Sequence, residues 1–383
     1  MNVLIYTHEF PPFQGGIATS AKMIADILSS ENKLMVCCPD YGIDNFDETE
    51  NFFIDRINFI GGKNFKRVPL AQYIYGLLKV RQTIRTFKPD KILFLGEEAE
   101  LIGGLLNNSK IDQIVRVAGS GIESIIKKKG ILKILSKFLL KRLYRNSKNI
   151  IAVSRNTMKL MESENEYFPH DKIRLIYNGI DSSFIERKKD LSLIPEFKED
   201  EKIFILLTVS RLLPRKGQDF VIKALAKINN KNIKYVCVGE GGHKEKYKSL
   251  VKSLGLDDNV IFSGGIERSE IHKYYDSADA FILCNRTWNS KIEGLPNVAI
   301  ESMSRSTPVI GSRDSGTQEL IQDGVNGYLV DSEDIDDIAK KIQQAFLNRG
   351  NLPNMGDSAK LHIMKNFSFQ NMKSKYLRLV KDE

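Results

Sequence analysis

Cysteine is scarce in this sequence, and long apolar runs are missing. The cysteines lie inside short apolar runs and show no metal-ligand spacing, which predicts reduced core residues in place of a disulfide framework. No stretch of about 18 uninterrupted apolar residues occurs, so we expect no membrane-spanning helix. The run at residues 1–6 soon meets charge and proline, which predicts a buried strand and not a signal peptide. These absences predict a cytoplasmic protein. The cysteines are Cys37, Cys38, Cys237 and Cys284.

Composition places the chain among soluble globular proteins. Of its 383 residues, 42% are hydrophobic and 27% are charged. A chain of this length exceeds one ordinary core and predicts two domains. The formal net charge is +9, from 57 Lys and Arg against 48 Asp and Glu, and the placement of this charge is more informative than its sum.

Positive charge is concentrated in residues 124–150, a segment without a single acid. Apolar residues interleave with the basic ones, which predicts a basic amphipathic helix that can lie on an anionic membrane surface. A core-facing helix with a solvated basic face is the alternative. Nucleic acid is not expected as a partner, because exposed aromatic residues for base stacking and nucleic-acid motifs are missing. The basic residues are Lys127, Lys128, Lys129, Lys133, Lys137, Lys141, Arg142, Arg145 and Lys148.

Short apolar runs alternate with amphipathic segments in two successive series, which predicts two parallel-sheet α/β domains. We expect a first, Rossmann-like domain over 1–185 and a second over 202–365. A charged stretch with Pro195 predicts a linker over 186–201. The amphipathic segment 366–383 is expected to pack back on the first domain. Two such domains facing each other would bind ligands in a cleft beyond the carboxyl ends of their strands.

Six strands are predicted in each domain. In the first domain they are Val3–Tyr6, Leu34–Cys38, Lys91–Leu95, Gln113–Val117, Asn149–Val153 and Lys172–Ile176. In the second they are Ile203–Val209, Lys234–Val238, Val260–Ser263, Ala280–Leu283, Pro308–Gly311 and Gly327–Val330.

Two glutamates, Glu293 and Glu301, flank a segment that begins like a loop and ends like a helix. Pro296 suits the first helical position, where its missing N–H costs nothing. Glu293 and Gly294 then lie in a loop, and Glu301 lies about one turn into the helix. Free N–H groups at the helix start and close approach at the glycine favour a hydroxyl-rich or anionic ligand, such as a sugar diphosphate. A capped surface helix with two solvated acids is the alternative.

Cations follow the first strand of the second domain. Arg211 and Lys216 stand at its carboxyl end, where a planar fork and a mobile point charge can together hold a diphosphate. Taken alone, such residues are mostly solvated surface charges. In the first domain a proline-rich turn ends in Gly15 and Gly16, which open a helix and form a second helix start suited to phosphate.

Two glycine turns follow later strands of the second domain. Gly239 opens a Gly-Glu-Gly-Gly turn, which is not a dinucleotide fingerprint because Lys244 stands where a third glycine is required. The turn from Gly264 to Ile266 can offer backbone groups to a nucleobase, with an ordinary tight turn as the alternative.

Together, these features resemble the retaining GT-B glycosyltransferases of family 4, over nearly the whole chain. Seven landmarks keep the family's order, which makes the match specific. The resemblance implies transfer of a sugar from a nucleotide-sugar donor, UDP-linked or GDP-linked, with retention and without a required metal or other cofactor. The landmarks are residues 11–16, 152–154, 176–181, 210–217, 238–241, 293–301 and 323–330.

The resemblance also implies roles for the candidate residues. Glu293, Arg211 and Lys216 would be catalytic, with the two cations on the donor diphosphate. Glu301 would hold the ribose hydroxyls, the turn at Gly264 would meet the base, and the main chain after Glu293 would hold the transferred sugar. The candidate substrate-binding residues are Gly15, Gly16, Gly239, Gly264, Ile266, Gly294, Leu295, Pro296, Asn297 and Glu301.

The mechanism stays open between two routes. A carboxylate can form a covalent glycosyl-enzyme, or the acceptor can enter on the face that the diphosphate leaves, with a phosphate oxygen taking its proton. The family's usual view is the second, with Glu293 stabilising charge. Arg211, Lys216 and the helix starts can stabilise the leaving diphosphate without Mg²⁺. No Asp-x-Asp cluster of the kind that holds a metal in other transferases is apparent.

One departure from the family concerns the turn after the strand Gln113–Val117. Many members have a His there near the reacting centre, and Ala118 opens this turn instead. Its role is lost or falls to Ser120, Glu97, Glu98 or His8. A second departure is the polar run 302–306, where small apolar residues and a glycine would be typical.

These features predict a retaining glycosyltransferase of polysaccharide or lipopolysaccharide assembly, with a glycan or lipid-linked glycan acceptor at the inner membrane face. Two alternatives remain. One is a nucleotide-sugar 2-epimerase of the same architecture. The other is a catalytically idle sugar-nucleotide-binding protein, because fold does not fix function. The donor sugar, the base, the acceptor and the oligomeric state cannot be predicted.

Overall fold

The structure is a computed structural model, and it divides into two compact units. The first unit comprises Met1–Tyr177 together with Met372–Glu383, and the second comprises Asn178–Asn371. The predicted linker 186–201 lies outside the described residues. The residues that the structure describes are 1–13, 15–41, 46–58, 71–106, 108, 110–117, 131–181, 184–185, 202–288 and 294–383.

The first unit is built on a parallel sheet of seven strands with helices between them. The strands are β1 (Asn2–Thr7), β2 (Lys33–Pro39), β3 (Phe53–Ile57), β4 (Lys91–Leu95), β5 (Asp112–Val117), β6 (Asn149–Ala152) and β7 (Ile173–Leu175). They lie in the order β3-β2-β1-β4-β5-β6-β7, which is a Rossmann-like arrangement. The helices are α1 (Gly16–Ser29), α2 (Ala71–Phe87), α3 (Glu97–Leu106), α4 (Ile131–Asn146), α5 (Arg155–Ser163) and, from the end of the chain, the helix Phe369–Lys381.

The second unit repeats this plan with six parallel strands. They are β8 (Phe204–Val209), β9 (Ile233–Val238), β10 (Val260–Gly264), β11 (Ala280–Leu283), β12 (Val309–Ser312) and β13 (Gly327–Val330). Their order is β10-β9-β8-β11-β12-β13. The helices are α6 (Gln218–Ile228), α7 (Lys244–Ser253), α8 (Ile271–Ser277), α9 (Asn297–Ser304), α10 (Ile335–Leu347) and α11 (Leu352–Asn366), so the terminal helix Phe369–Lys381 is α12.

The predicted fold of two parallel-sheet, Rossmann-like domains is therefore confirmed. Each predicted strand is present, because an apolar run such as Val3–Tyr6 is buried on both faces of a parallel sheet. The edge strand β3 was not predicted. Its middle residues, among them Asp55 and Arg56, are only half-buried, so the run lacks the continuous apolar character of the others.

The four cysteines are free and buried, as predicted. Burial raises the pKa of Cys38 and of Cys237 to about 12, and it raises the pKa of the other two thiols as well. Across the described ranges, no helix combines the length and the apolar character needed to cross a bilayer.

Helix α12 is tied to the first unit by charge as well as by apolar packing. Its buried side chains include Met372 and Tyr376. Next to its end, Asp382 forms ion pairs with Lys91 at 2.7 Å and with Lys148 at 2.8 Å. Lys148, one of the basic residues assigned to the amphipathic segment 124–150, thus forms an ion pair just before β6. It does not belong to helix α4, which ends at Asn146.

Helices α3 and α4 pack closely, because Gly104 lets the α4 backbone approach. A Cβ atom at residue 104 would lie 2.6 Å from the Leu139 carbonyl oxygen. The Tyr144 hydroxyl donates a 2.6 Å hydrogen bond to the buried Glu100 carboxyl group across this interface. Burial raises the pKa of Glu100 to about 8, with Glu97 and Glu98 adding to the effect and the Tyr144 bond opposing it.

This raised pKa predicts a stability that falls as the pH rises. Glu100 binds its proton more tightly in the folded chain than in the unfolded one, so its contribution is complete below pH 4.5 and is lost as the pH rises to about 8. In Glu100→Gln this loss is removed. We expect the urea midpoint of Glu100→Gln, relative to the unmodified chain, to increase from pH 5 to pH 8 and then level off. The control Glu48→Gln, at an exposed acid that does not contribute to the raised pKa of Glu100, should show no such rise. A pH-independent difference for Glu100→Gln would contradict the assignment.

Candidate functional site

The loop after β8 carries Arg211 and Lys216. Arg211 is exposed, whereas Lys216 is buried in a 3₁₀ turn over Pro214–Lys216. Gly217 ends this turn with a φ of +75°, a conformation that favours glycine, and a Cβ atom there would clash with the Cys284 carbonyl group. The lysine turn therefore fits closely against the carboxyl end of β11.

Two side chains outside the predicted site residues hold this loop. The buried Gln218 donates to the Ser210 hydroxyl at 2.8 Å and to the Arg211 carbonyl at 3.1 Å. Arg286 donates to the Pro214 carbonyl at 2.7 Å and to Asp219 at 3.0 Å. Neither side chain belongs to the predicted motif. Their hydrogen bonds to the Arg211 and Pro214 carbonyls fix the backbone of the loop.

The turns at Gly239 and Gly264 lie beside the Arg211 loop. The Gly239 N–H donates to the Gly264 carbonyl at 2.7 Å, and the Leu212 N–H donates to the Glu240 carbonyl at 3.0 Å. Three successive strands thus place their carboxyl-end loops next to one another. Ile266, two residues after Gly264, is half-buried.

Helix α9 follows the segment that was predicted to hold the sugar. The helix begins at Asn297, and Pro296 precedes it in extended conformation, so the proline lies one residue before the predicted position. Leu295 and Pro296 are buried, and Gly294 is half-buried. The Asn178 amide donates to the Asn297 side chain at 2.7 Å, which fixes the first residue of the helix.

Glu301 lies one turn into α9, as predicted, and its side chain is 5% exposed. Its Oε2 accepts a 3.0 Å hydrogen bond from the Tyr275 hydroxyl on α8. Its Oε1 lies 3.1 Å from the guanidinium of Arg268, which follows the Gly264 turn and is 59% exposed. Burial raises the pKa of Tyr275 well above its ordinary value, so the phenol stays a donor. A carboxylate has about four acceptor positions, so Glu301 keeps capacity for ligand hydroxyls.

A buried ion pair fixes α8 against α9. Arg305, at the end of α9, donates to both carboxylate oxygens of Asp276 at 2.7 and 2.6 Å. Both side chains are at most 4% exposed. The same guanidinium donates to the Phe184 carbonyl at 3.0 Å, and the Thr307 hydroxyl donates to the Tyr275 carbonyl at 2.7 Å. Tyr275 and Glu301 therefore meet in one defined geometry.

Local hydrogen bonds satisfy buried hydroxyl groups in the polar run 302–306. The buried Ser302 hydroxyl donates to the Thr307 carbonyl at 2.9 Å, and the Ser304 hydroxyl donates to the Glu301 carbonyl at 2.7 Å. Ser306 has a φ of +62°, which explains why a glycine would be typical at this position.

In the first unit, Gly15 precedes α1 in extended conformation and Gly16 is its first residue. His8, one of the residues considered as a replacement for the family His, is half-buried just beyond β1. Burial lowers the pKa of His8 to about 4, so the imidazole is neutral at neutral pH. Glu98, another of these residues, is exposed at the start of α3.

Several expectations fall on residues whose structure is not described. Glu293 lies outside the described residues, as do Ala118 and Ser120. In the part of the chain that is described, no group of three or more His, Cys, Asp or Glu side chains could hold a metal ion. The sequence does contain Asp334 and Asp336 with one residue between them, but Asp334 caps α10 by accepting from the Asp336 N–H at 2.8 Å. The roles assigned to the site residues stay predictions.

The ion pair under α9 predicts a large loss of stability on truncation. In Arg305→Ala the buried Asp276 carboxylate loses the guanidinium that contacts both of its oxygens, which should lower the free energy of unfolding by about 3–5 kcal/mol. Trp288 is the single tryptophan and belongs to the second unit, so its fluorescence during urea unfolding reports on this unit. The control Arg313→Ala breaks a half-exposed pair with Asp337 and should cost less than about 1 kcal/mol. Equal losses in both variants would contradict the structural role of Arg305.

Two family profiles match the chain. The profile for Glycosyltransferase Family 4 matches residues 14–184, and the profile for Glycosyl transferases group 1 matches residues 191–362. Together they account for nearly the whole chain.

Curated relatives match parts of the chain. An uncharacterized glycosyltransferase of Methanocaldococcus jannaschii, MJ1607, is 30% identical over 56% of this chain and 55% of its own. A GDP-mannose-dependent alpha-(1-6)-phosphatidylinositol monomannoside mannosyltransferase of Mycobacterium tuberculosis is 29% identical over 44% of this chain and 45% of its own. The matches thus span about half the length of these relatives.

The fold has solved counterparts over its full length. The crystal structure of Anabaena Alr3699/HepE in complex with UDP superposes with a TM-score of 0.81, at 19% identity and 100% coverage of both chains. At this identity the likeness concerns the fold. With the two family profiles and the paired Rossmann-like units, it leads to one assignment: the chain is a family 4 glycosyltransferase of the GT-B fold.

Proposed function

We propose that this glycosyltransferase is a retaining, metal-independent enzyme that moves a sugar from a UDP-linked or GDP-linked donor to a lipid-linked glycan in polysaccharide or lipopolysaccharide assembly. The observation that carries the proposal is the convergence of cations, glycine turns and a buried carboxylate in the second unit. Arg211 and Lys216 lie on a loop bonded to the Gly239 turn, and Glu301 is reached from the Gly264 side by Arg268. This arrangement fits a nucleoside diphosphate.

In this proposal each group has a separate task. Arg211 and Lys216 bind the diphosphate and stabilise the negative charge that grows on it as the glycosidic bond breaks. Glu301 accepts hydrogen bonds from the ribose hydroxyls. The backbone from Gly294 to Asn297 binds the transferred sugar, and Glu293 stabilises the positive charge that develops on its ring. The acceptor enters on the face that the diphosphate leaves, and a phosphate oxygen takes its proton.

The relatives support this choice of substrates without fixing it. The mycobacterial mannosyltransferase is named for a GDP-mannose donor and a phosphatidylinositol monomannoside acceptor, which is lipid-linked. The Anabaena structure holds UDP. We include peripheral contact with an anionic membrane through the basic segment 124–150 in the proposal. Of this segment, helix α4 is described, and Lys137, Lys141 and Arg145 are basic residues on it outside the buried core.

Donor binding can be tested by thermal shift with UDP, GDP and ADP, with Mg²⁺ and with a chelator. We expect one nucleotide to raise the melting temperature equally under both conditions, and Arg211→Ala to abolish the shift because a charge-assisted contact to phosphate is lost. Lys231→Ala, an exposed cation in the loop before β9, is the matched control and should keep the shift. A shift that requires Mg²⁺ would refute metal independence. The absence of any shift would contradict donor binding and with it the proposal.

Retention and the role of Glu293 can be tested on the product. With an α-linked donor we expect an α-linked product, as read from the one-bond C1–H1 coupling in its NMR spectrum. Glu293→Gln should lower kcat by about 10²–10³-fold while the nucleotide shift persists, because the charge is needed in the transition state only. The control Glu333→Gln changes an exposed acid of the same unit. A β-linked product would refute retention, and a trapped glycosyl adduct would favour the covalent route.

A further inference from the structure

Two helices of the first unit, α2 and α4, expose large apolar side chains. The exposed fractions run from 42% to 69%, far above those of core residues. Among the side chains that the structure describes, three such residues lie on each helix, so they form two groups and are not scattered singly. Contiguous exposed apolar groups are uncommon on soluble proteins and mark surfaces that bind something. They are Ile74, Tyr75 and Leu78 on α2, and Ile134, Leu135 and Phe138 on α4.

The two groups occupy the same positions in their helices. Helix α2 begins at Ala71 and α4 begins at Ile131, so in each case the fourth, fifth and eighth residues are exposed and apolar. Residues four apart lie on one face of a helix. Each helix therefore presents an apolar patch on its first two turns.

The two patches lie at the same end of the unit. Helices α2, α3 and α4 follow β3, β4 and β5, so each begins beyond the carboxyl end of a strand of one parallel sheet. Helix α3 packs against both α2 and α4 and lies between them. The two apolar patches therefore flank the first turn of α3 at the carboxyl edge of the sheet.

Basic residues follow each apolar patch along its helix, towards the carboxyl end. Arg81 and Arg85 follow Leu78 on α2, and Lys141 and Arg145 follow Phe138 on α4, at the same spacing of three and four residues. Three of them are exposed, and Lys141 is half-exposed in a surface pair with Glu166. Neither helix contains an acid. On α3, which lies between them, Glu97 and Glu98 are in the first turn.

We propose that α2 and α4 together form a two-pronged membrane-docking surface, with an anionic lipid bilayer as its occupant. The apolar first turns enter the boundary between headgroups and acyl chains, and the cations of the following turns contact lipid phosphates. Apolar tips with a basic collar match the polarity profile of an anionic membrane surface. The charge complementarity selects a bilayer over a neutral apolar protein partner.

This inference deepens the membrane contact proposed above, which rested on the segment 124–150 alone. It adds α2, a helix outside that segment, as an equal contributor. Vesicle binding needs neither donor nor acceptor. A failure of this inference is therefore distinguishable from a failure of the proposed glycosyl transfer.

The test measures binding of the full chain to vesicles of phosphatidylcholine with and without phosphatidylglycerol, by flotation. We expect binding to the anionic vesicles, weakened by salt. Ile74→Glu with Leu78→Glu should lower the partition coefficient at least about tenfold, since two apolar side chains leave the interface. Ile134→Glu with Phe138→Glu should do the same. Arg81→Ser with Arg85→Ser should weaken binding to the anionic vesicles only.

The matched control is Leu361→Glu with Met364→Glu, which adds the same two charges at residues of α11 that are 69% and 47% exposed. It should bind as the unmodified chain does, and a circular dichroism spectrum and a melting temperature like those of the unmodified chain confirm folding of every variant. Unchanged binding of the α2 variant would overturn the two-helix surface, and so would the absence of vesicle binding by the unmodified chain. Light scattering that shows a dimer dissociated by the α2 changes, with vesicle binding intact, would assign the surface to a second copy.

Discussion

The buried ion pair between Arg305 and Asp276 is the constraint on which the candidate site depends. It joins the end of α9 to α8, and through them it sets Tyr275 against Glu301. A buried ion pair contributes little net stability, because desolvation offsets most of the attraction, but its two-oxygen geometry admits few alternative packings. The Arg305 guanidinium also donates to the Phe184 carbonyl, so this residue is fixed to the same helix.

Two buried glutamates, Glu100 and Glu301, have the same kind of hydrogen-bond partner but different surroundings, and the surroundings suit them to different roles. Glu100 and Glu301 each accept a hydrogen bond from a buried tyrosine on a neighbouring helix. Glu100 lies near two further acids, which reinforce the effect of burial on its pKa. Glu301 has the exposed guanidinium of Arg268 within hydrogen-bond distance at the edge of the site. The surroundings of Glu100 therefore suit a packed helix interface, and those of Glu301 suit contact with an exchangeable ligand.

The sequence predicts what local patterns determine and misses what distant contacts determine. Apolar runs identify the strands buried on both faces, and glycine turns identify the loops at their ends. Strand β3 was not predicted, because an edge strand needs fewer apolar residues than a central one. The position of Glu301 follows from Pro296, yet its partner Tyr275 is 26 residues away along the chain and no motif joins them. Likewise, the exposure of Ile74 and Leu78 on α2 is a property of the folded unit, and no local pattern predicts it.

The burial of all four cysteines has a practical consequence for spectroscopy. Thiolate is the reactive form, and burial keeps the native thiols both protonated and inaccessible. The chain therefore behaves as if it carried no cysteine towards maleimide or nitroxide reagents while it stays folded. A single cysteine introduced on a surface helix can carry a fluorophore or spin label without prior replacement of the native ones, so depth and orientation at a lipid surface can be read from the otherwise unmodified protein.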